Sequence, residues 1–264
     1  MKKLSIAETH EVLLNIAKEF DRICTNNNIP YYMLGGTMLG AIRHKGFIPW
    51  DDDMDFGVPL PYYKKLEEIL TVELPEKYRC STYLNSKSVI LPFMKIEDTT
   101  TILDDKQINL PLEEKIGINI DIFPLYYCDN KDKKINTARM WQMFAGKIFT
   151  NSRQSKIKNL LKLPLRLLCP VNYLWFIKKS RKIADSIESG EYISNIYGRW
   201  KDKETCLISW FEPPTRYEFE DTTFMGPSKY DVYLTQMYND YMQLPPLENQ
   251  FCHGENAYKK DVVD

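Results

Sequence analysis

Gly35-Gly36-Thr37-Met38-Leu39-Gly40-Ala41-Ile42-Arg43-His44-Lys45-Gly46-Phe47-Ile48-Pro49-Trp50-Asp51-Asp52-Asp53-Met54-Asp55-Phe56-Gly57 decides the reading of this 264-residue chain. A glycine pair follows the apolar run Tyr31–Leu34, a basic triplet follows the glycines, and then four carboxylates fall in five positions. Neighbouring carboxylates repel, raise one another's pKa and oppose compaction unless a cation sits among them. Among oxygen ligands the natural cation is Mg²⁺, with Mn²⁺ as the alternative. Glycines that bare the backbone next to such a centre point to phosphate handling.

The run Met54 to Val58 reads as a strand. Period two then puts Asp53 and Asp55 on one face and Met54 and Phe56 on the other. An acidic turn in water would not be interleaved with apolar residues in this way, so Asp53 and Asp55 are the candidate metal ligands. Asp51 and Asp52 read as turn or helix-cap residues. An EF-hand loop is excluded, because its sixth and twelfth positions, which call for Gly and Glu, are Phe56 and Tyr62. Asp121 stands in Gly117-Ile118-Asn119-Ile120-Asp121-Ile122-Phe123-Pro124, on the face of a strand opposite the isoleucines, with Pro124 expected to close that strand. Two-metal phosphoryl transfer needs carboxylates shared between ions, which a third aspartate from a neighbouring strand supplies. It could also orient or deprotonate an attacking hydroxyl. Gly35, Gly36 and Thr37 would bring backbone N–H groups to a phosphate at a helix start near Thr37. Arg43 and His44 are candidates to pair with phosphates. Trp50 could stack on a base or fill core.

Working outward, Ser5-Ile6-Ala7-Glu8 forms a capping box that opens a helix. Val12, Leu13, Ile16, Ala17, Phe20 and Ile23 follow at helical spacing, and Asn26–Asn28 with Pro30 end it. A helix is expected over Pro61–Val72, and strands over Arg79–Leu84, Val89–Ile96 and Thr99–Leu103. Helices interspersed with a strand meander argue an α/β (α+β) fold, a mixed sheet flanked by helices. The expected organisation is a catalytic core over 1–130, a basic helical insert over 131–190 and a small C-terminal lobe over 191–264 that completes the site.

Charge is unevenly placed. Between Lys133 and Ala184 there is no Asp or Glu, and thirteen of the 35 Lys and Arg fall there, leaving 22 against all 36 acidic residues elsewhere. The net charge of −1 gives no hint of nucleic acid. Lys158, Lys162 and Arg166 form a basic stripe beside apolar Ile157, Leu161, Leu165 and Leu168, a pattern suited to peripheral contact with an anionic membrane. The uncharged run Leu167–Ile177 is shorter than the ~20 residues a membrane span needs. The N-terminus lacks a signal-peptide pattern, and the six cysteines form no C-x-x-C pair, so a cytoplasmic protein with reduced thiols is expected, free or peripheral at the inner membrane face.

The stretch from Gly35 to Asp55 resembles the signature of the LicD family, bacterial phosphocholine transferases related to fukutin. Ile120-Asp121-Ile122-Phe123-Pro124-Leu125 and Tyr238-Asn239-Asp240-Tyr241-Met242-Gln243-Leu244-Pro245-Pro246, followed by His253, are similar to that family too. The family commonly has Gly where Asn239 stands. The resemblance implies a nucleotidyltransferase-like fold, with Asp53, Asp55 and Asp121 as metal-binding and catalytic carboxylates. It implies a CDP-activated donor, CDP-choline or a related CDP-alcohol, and a glycan acceptor that is lipid-linked in many members. Gly35, Gly36, Thr37, Arg43, His44, Trp50, Lys95 and His253 would line the substrate. Rival readings are transfer of ribitol phosphate or a nucleoside monophosphate, and a non-catalytic nucleotide-binding subunit.

Overall fold

The computed structural model describes residues 1–105, 110–130, 132–149, 160–162, 164, 172–250 and 256–261. Strand β1 (Lys2–Lys3) leads into helix α1 (Ile6–Asn26). The capping box is formed: the Glu8 N–H donates to Ser5 Oγ at 3.2 Å, and the Ser5 N–H donates to the Glu8 carboxylate at 2.8 Å. Leu13, Ile16, Phe20 and Ile23 of α1 are fully buried, and Phe20 meets Tyr31 and Phe56 edge-on or tilted, at 4.9 and 5.1 Å between ring centres.

The next elements are β2 (Tyr32–Met33), α2 (Gly35–Arg43), β3 (Asp55–Pro59), α3 (Leu60–Glu73), β4 (Tyr78–Ser81), β5 (Met94–Asp98), β6 (Thr101–Asp104) and β7 (Asn119–Cys128). Two helices, α4 (Lys133–Phe149) and α5 (Tyr173–Ala184), pack on each other. Then follow β8 (Tyr192–Asn195), β9 (Thr205–Leu207), α6 (Ile208–Phe211), the hairpin β10 (Thr215–Phe219) and β11 (Thr222–Gly226), α7 (Tyr230–Tyr238) and β12 (Asn256–Lys259). Helices on a mixed sheet make the α/β fold that the sequence leads one to expect.

The main sheet runs β2-β3-β7-β5-β4, with β8 and β9 continuing from the second half of β7. Strands β3 and β7 are parallel, and the other pairs are antiparallel. Register sorts the side chains into rows. Met33, Phe56, Ile122 and Met94 lie side by side across four strands, and all are buried. One residue away, on the other face, Asp55, Asp121, Lys95 and Ser81 form a polar row. The alternation of Asp and apolar residues in the sequence is thus the alternation of the two sheet faces. Residues beyond 190 share this sheet through β8 and β9, and β12 joins β6 to β1 in a separate three-stranded sheet.

Three local expectations are corrected. Pro124 does not close β7, which runs on to Cys128. The strand pairs with β5 up to Ile122 and with β8 from Leu125, so Pro124 falls in the gap between partners where a missing N–H forfeits no ladder bond. The segment Val89–Phe93 is not strand, and β5 begins only at Met94, after Pro92. Helix α2 starts at Gly35 itself, two residues before Thr37. The basic region is helical in α4 and α5, whereas Lys158 and Arg166 lie outside the described residues. Cys24, Cys80, Cys128 and Cys206 are free and buried.

Candidate active site

The polar row of the sheet ends beneath the first turn of α2. Asp55, first residue of β3, and Asp121 of β7 are paired in register on adjacent parallel strands. Asp121 faces Lys95 across the antiparallel β5–β7 pair, and the Lys95 ammonium donates to the Asp121 carboxylate and to Asn119 Oδ1 at 2.9 Å. Both members of this ion pair are largely buried, with side chains 17% and 19% exposed.

Backbone and hydroxyl bonds fix Asp55 against α2. Its N–H donates to Thr37 Oγ1 at 2.8 Å, and its carbonyl accepts from the Leu34 N–H at 2.9 Å. The Thr37 hydroxyl oxygen thereby helps hold the strand to the helix. Gly35 has a φ of +49°, which glycine adopts without strain, and its N–H donates to Tyr233 Oη at 2.9 Å. A Cβ on Gly36 would stand 2.5 Å from Asp51 Oδ2. A Cβ on Gly35 would stand 3.6 Å from both Asp55 Oδ2 and Tyr238 Oη. Asp51, Asp55 and Tyr238 therefore crowd the positive end of the α2 dipole.

Asp51 has both a turn role and a place in the site. Its N–H closes a turn on Ile48 O at 2.9 Å, and its carbonyl meets His10 Nε2 at 2.6 Å, while its carboxylate reaches over Gly36. Asp53, in the coil leading to β3, adds to the same field. Burial first, then the charges of Asp53, Asp121, Asp51 and Glu204, push the Asp55 carboxyl well above the usual carboxylate range. Burial first, then the charges of Asp55, Asp51, Glu204 and Asp53, push the Tyr238 phenol up, so that it keeps its proton. Burial carries Glu204 to about 7, against the opposing hydrogen bonds from the Trp200 N–H at 2.6 Å and Asn195 Nδ2 at 2.7 Å.

Arg43, His44 and Trp50 form a second group at the far end of α2. Arg43 Nη1 donates to the carbonyls of Tyr241 and Gln243 at 3.0 and 3.3 Å, so this guanidinium grips the segment after α7. Burial lowers the His44 pKa, with the Arg43 charge second, and its ring stands perpendicular to Trp50 at 6.3 Å. Trp50 is half-buried against the core. Asn239 caps α7 with a φ of 60°, a backbone conformation that a glycine here would take freely. His253 lies outside the described residues.

Sequence reasoning missed Tyr233, Tyr238 and Glu204. Tyr238 opens the motif Tyr238–Pro246 and carried a signal, but Glu204, in Lys201-Asp202-Lys203-Glu204, looks like any solvated charge run. As placed, no three His, Cys, Asp or Glu side chains close on one point among the described residues. The donor set nevertheless suits a hard divalent cation: all its ligating atoms are oxygens, and the repulsion on Asp55 is what such a cation would relieve. Asp53, Asp55 and Asp121 are the residues that would hold it, with Asp121 shared with Lys95.

Known proteins match in the same places. The family model described as "LicD/FKTN/FKRP, nucleotidyltransferase domain" matches residues 28–169, which include the α2 glycines, Asp53, Asp55, Lys95 and Asp121. The chain is similar over 98% of its length to the lipopolysaccharide cholinephosphotransferase LicD of Haemophilus influenzae, with 30% identity and 99% of that protein covered. It is also 26% identical over 98 residues to the human ribitol 5-phosphate transferase FKRP, covering 37% of this chain and 17% of that one. A protein of unassigned function from Rickettsia typhi is 42% identical over 59 residues.

Proposed function

The chain belongs to the LicD family, and from that premise we propose that it transfers phosphocholine from CDP-choline to a sugar hydroxyl of a cell-surface glycan precursor. One observation carries the reading: Asp55 and Asp121 lie in register on adjacent strands, with Asp53 and Asp51 adding charge, beneath the N-terminus of a helix that begins with two glycines. Likeness to a cholinephosphotransferase along the whole chain supplies the choline.

In this mechanism the acceptor oxygen forms a bond to the phosphorus that carries choline, the bond from that phosphorus to CMP breaks, and the hydroxyl proton passes to a carboxylate of the row. Asp53, Asp55 and Asp121 would hold Mg²⁺ or Mn²⁺, which when bound neutralises charge on the donor diphosphate. Lys95 orients the Asp121 carboxylate through their ion pair. The Asp51 carboxylate stands over Gly36, so what the first turn of α2 would offer a phosphate is the positive end of its dipole rather than an empty backbone cradle. Tyr238 presents a proton-bearing phenol beside Asp55 as a hydrogen-bond donor.

The match to a ribitol 5-phosphate transferase supports a second reading, in which the same site passes ribitol phosphate from a CDP-linked donor. Incubating the purified protein with Mg²⁺, a glycan acceptor and either CDP-choline or CDP-ribitol separates the two. CMP release with choline on the glycan is expected. CMP from CDP-ribitol alone would shift the assignment to ribitol, and no product from either donor would leave a nucleotide-binding protein.

A further inference from the structure

Helices α4 and α5 form an antiparallel pair, with Ser180 Oγ donating to Ala138 O at 2.7 Å and Trp141 meeting Trp175 at 5.4 Å between ring centres. Their inner faces, with Ala138, Ala145, Phe176, Ile177 and Ser180, are buried. Their outer faces differ from an ordinary solvated surface. On α4, Met140, Met143 and Phe144 recur at helical spacing and are 38%, 46% and 40% exposed. On α5, Trp175, itself 42% exposed, heads a stripe of exposed Lys178, Lys179 and Lys182. Leu160 and Leu161, in the connection between the helices, are 69% exposed. A cavity of about 600 Å³ lies between α4 and the segments 90–91 and 196–202, with Met140, Met143, Lys147, Arg199 and Asp202 in its lining.

From this arrangement we propose that the outer surface of the α4–α5 pair docks on an anionic lipid bilayer. The inference stands apart from the reaction assigned above. Charge selects the occupant. The stretch from Lys133 to Ala184 has thirteen Lys and Arg and no acid, while the remainder of the chain is acidic by 36 to 22. An anionic surface attracts this pair of helices and repels the body, so one field both binds the protein and orients it. A second copy related by a two-fold axis would set the same lysines against each other, which disfavours a self-interface. A polynucleotide would neutralise the lysines but leave Met143, Phe144 and Trp175 in water. A bilayer takes both: aromatic and aliphatic side chains enter the interface while lysines stay at the headgroups. No helix among the described residues is long and apolar enough to cross a membrane, so the contact is peripheral.

The full chain is floated with vesicles of phosphatidylcholine alone or with a third phosphatidylglycerol, at low and high salt. Binding is expected only to the anionic vesicles, and it weakens as salt rises. The triple variant Lys178→Gln/Lys179→Gln/Lys182→Gln should bind about a hundredfold more weakly, roughly fivefold per lysine. The double variant Phe144→Ser/Trp175→Ser should bind at least tenfold more weakly at both salt concentrations. The lysines are exposed, so thermal unfolding of the triple variant should stay near that of the parent. Phe144 and Trp175 also meet Trp141, so the double variant is floated well below its own melting temperature, which separates lost binding from lost folding. Absence of binding to anionic vesicles at low salt overturns the proposal. So does binding that neither variant changes, a mass that doubles with concentration and reverts in the double variant, or capture of a 20-nucleotide single strand in preference to vesicles.

Discussion

The acidic row under α2 and the basic face of α4–α5 both concentrate one sign of charge, but in different dielectrics. Lys178, Lys179 and Lys182 are exposed, where water and salt screen their repulsion. Asp55 sits half-buried among Asp51, Asp53 and Asp121, and burial and their charges force its carboxyl well above the usual range. Exposed like charge can be tolerated by a fold at little loss of stability. Like charge drawn out of water destabilises it, which is the ground on which we propose a cationic ligand for the site. The neighbouring pair of Arg79 with the buried Glu97 shows the alternative solution: there the protein supplies its own cation, with Ser81 Oγ at 2.5 Å and the Gly117 N–H at 2.7 Å satisfying the remaining lone pairs.

If that contrast is right, replacing an acid of the row should separate activity from stability. Asp55→Asn is expected to lower transfer about a thousandfold or more, while metal-free protein melts at the same temperature as the parent or higher, because a repelled buried charge is gone. A variant that melts lower and keeps its turnover would break the comparison.

Glu204 sharpens it through pH. Its folded pKa of about 7 lies above the unfolded value of 4.5. Between those values the native state holds more protons, so its contribution to stability is full below pH 4.5 and is lost as pH rises to 7. The loss is roughly 3 kcal/mol at 1.36 kcal/mol per unit. Urea unfolding at pH 5 and pH 8 should show that slope in the parent and a flatter one in Glu204→Gln. Equal slopes would place Glu204 in a better-solvated setting than the structure gives it.

Tyr238→Phe tests the site where it meets the C-terminal segment. Losing one phenol beside Asp55 should reduce turnover about tenfold to a hundredfold, with KM for the donor changing less. The smallest effect belongs to the basic face. Lys178→Gln/Lys179→Gln/Lys182→Gln should leave stability within about 0.5 kcal/mol and transfer to a water-soluble acceptor within about twofold. A large loss there would make the face part of the catalytic machinery.

The sequence was most legible where chemistry and periodicity coincided. Asp55-Phe56 and Ile120-Asp121-Ile122 announced two strands, and β3 and β7 pair Asp55 with Asp121 side by side, whereas Asp53, expected on the same strand face, lies in the coil before β3. The capping box at Ser5 was equally plain, because its partners are three residues apart. What escaped depends on long-range pairing. Pro124 reads as a terminator unless the change of partner strands is known. Asp51 reads as a turn residue until its carboxylate is seen over Gly36. Tyr233 and Glu204 come to the site only because α7 and the segment before β9 pack there, and no local pattern encodes that.

The central claim is that the acidic row holds a divalent cation. Calorimetric titration of Mn²⁺ into the protein, alone and with saturating CDP-choline, tests it without relying on turnover. The account predicts binding that CDP-choline tightens and that Asp55→Asn and Asp121→Asn each abolish. Mn²⁺ binding of unchanged affinity in both variants, or none in the parent with donor present, would contradict it.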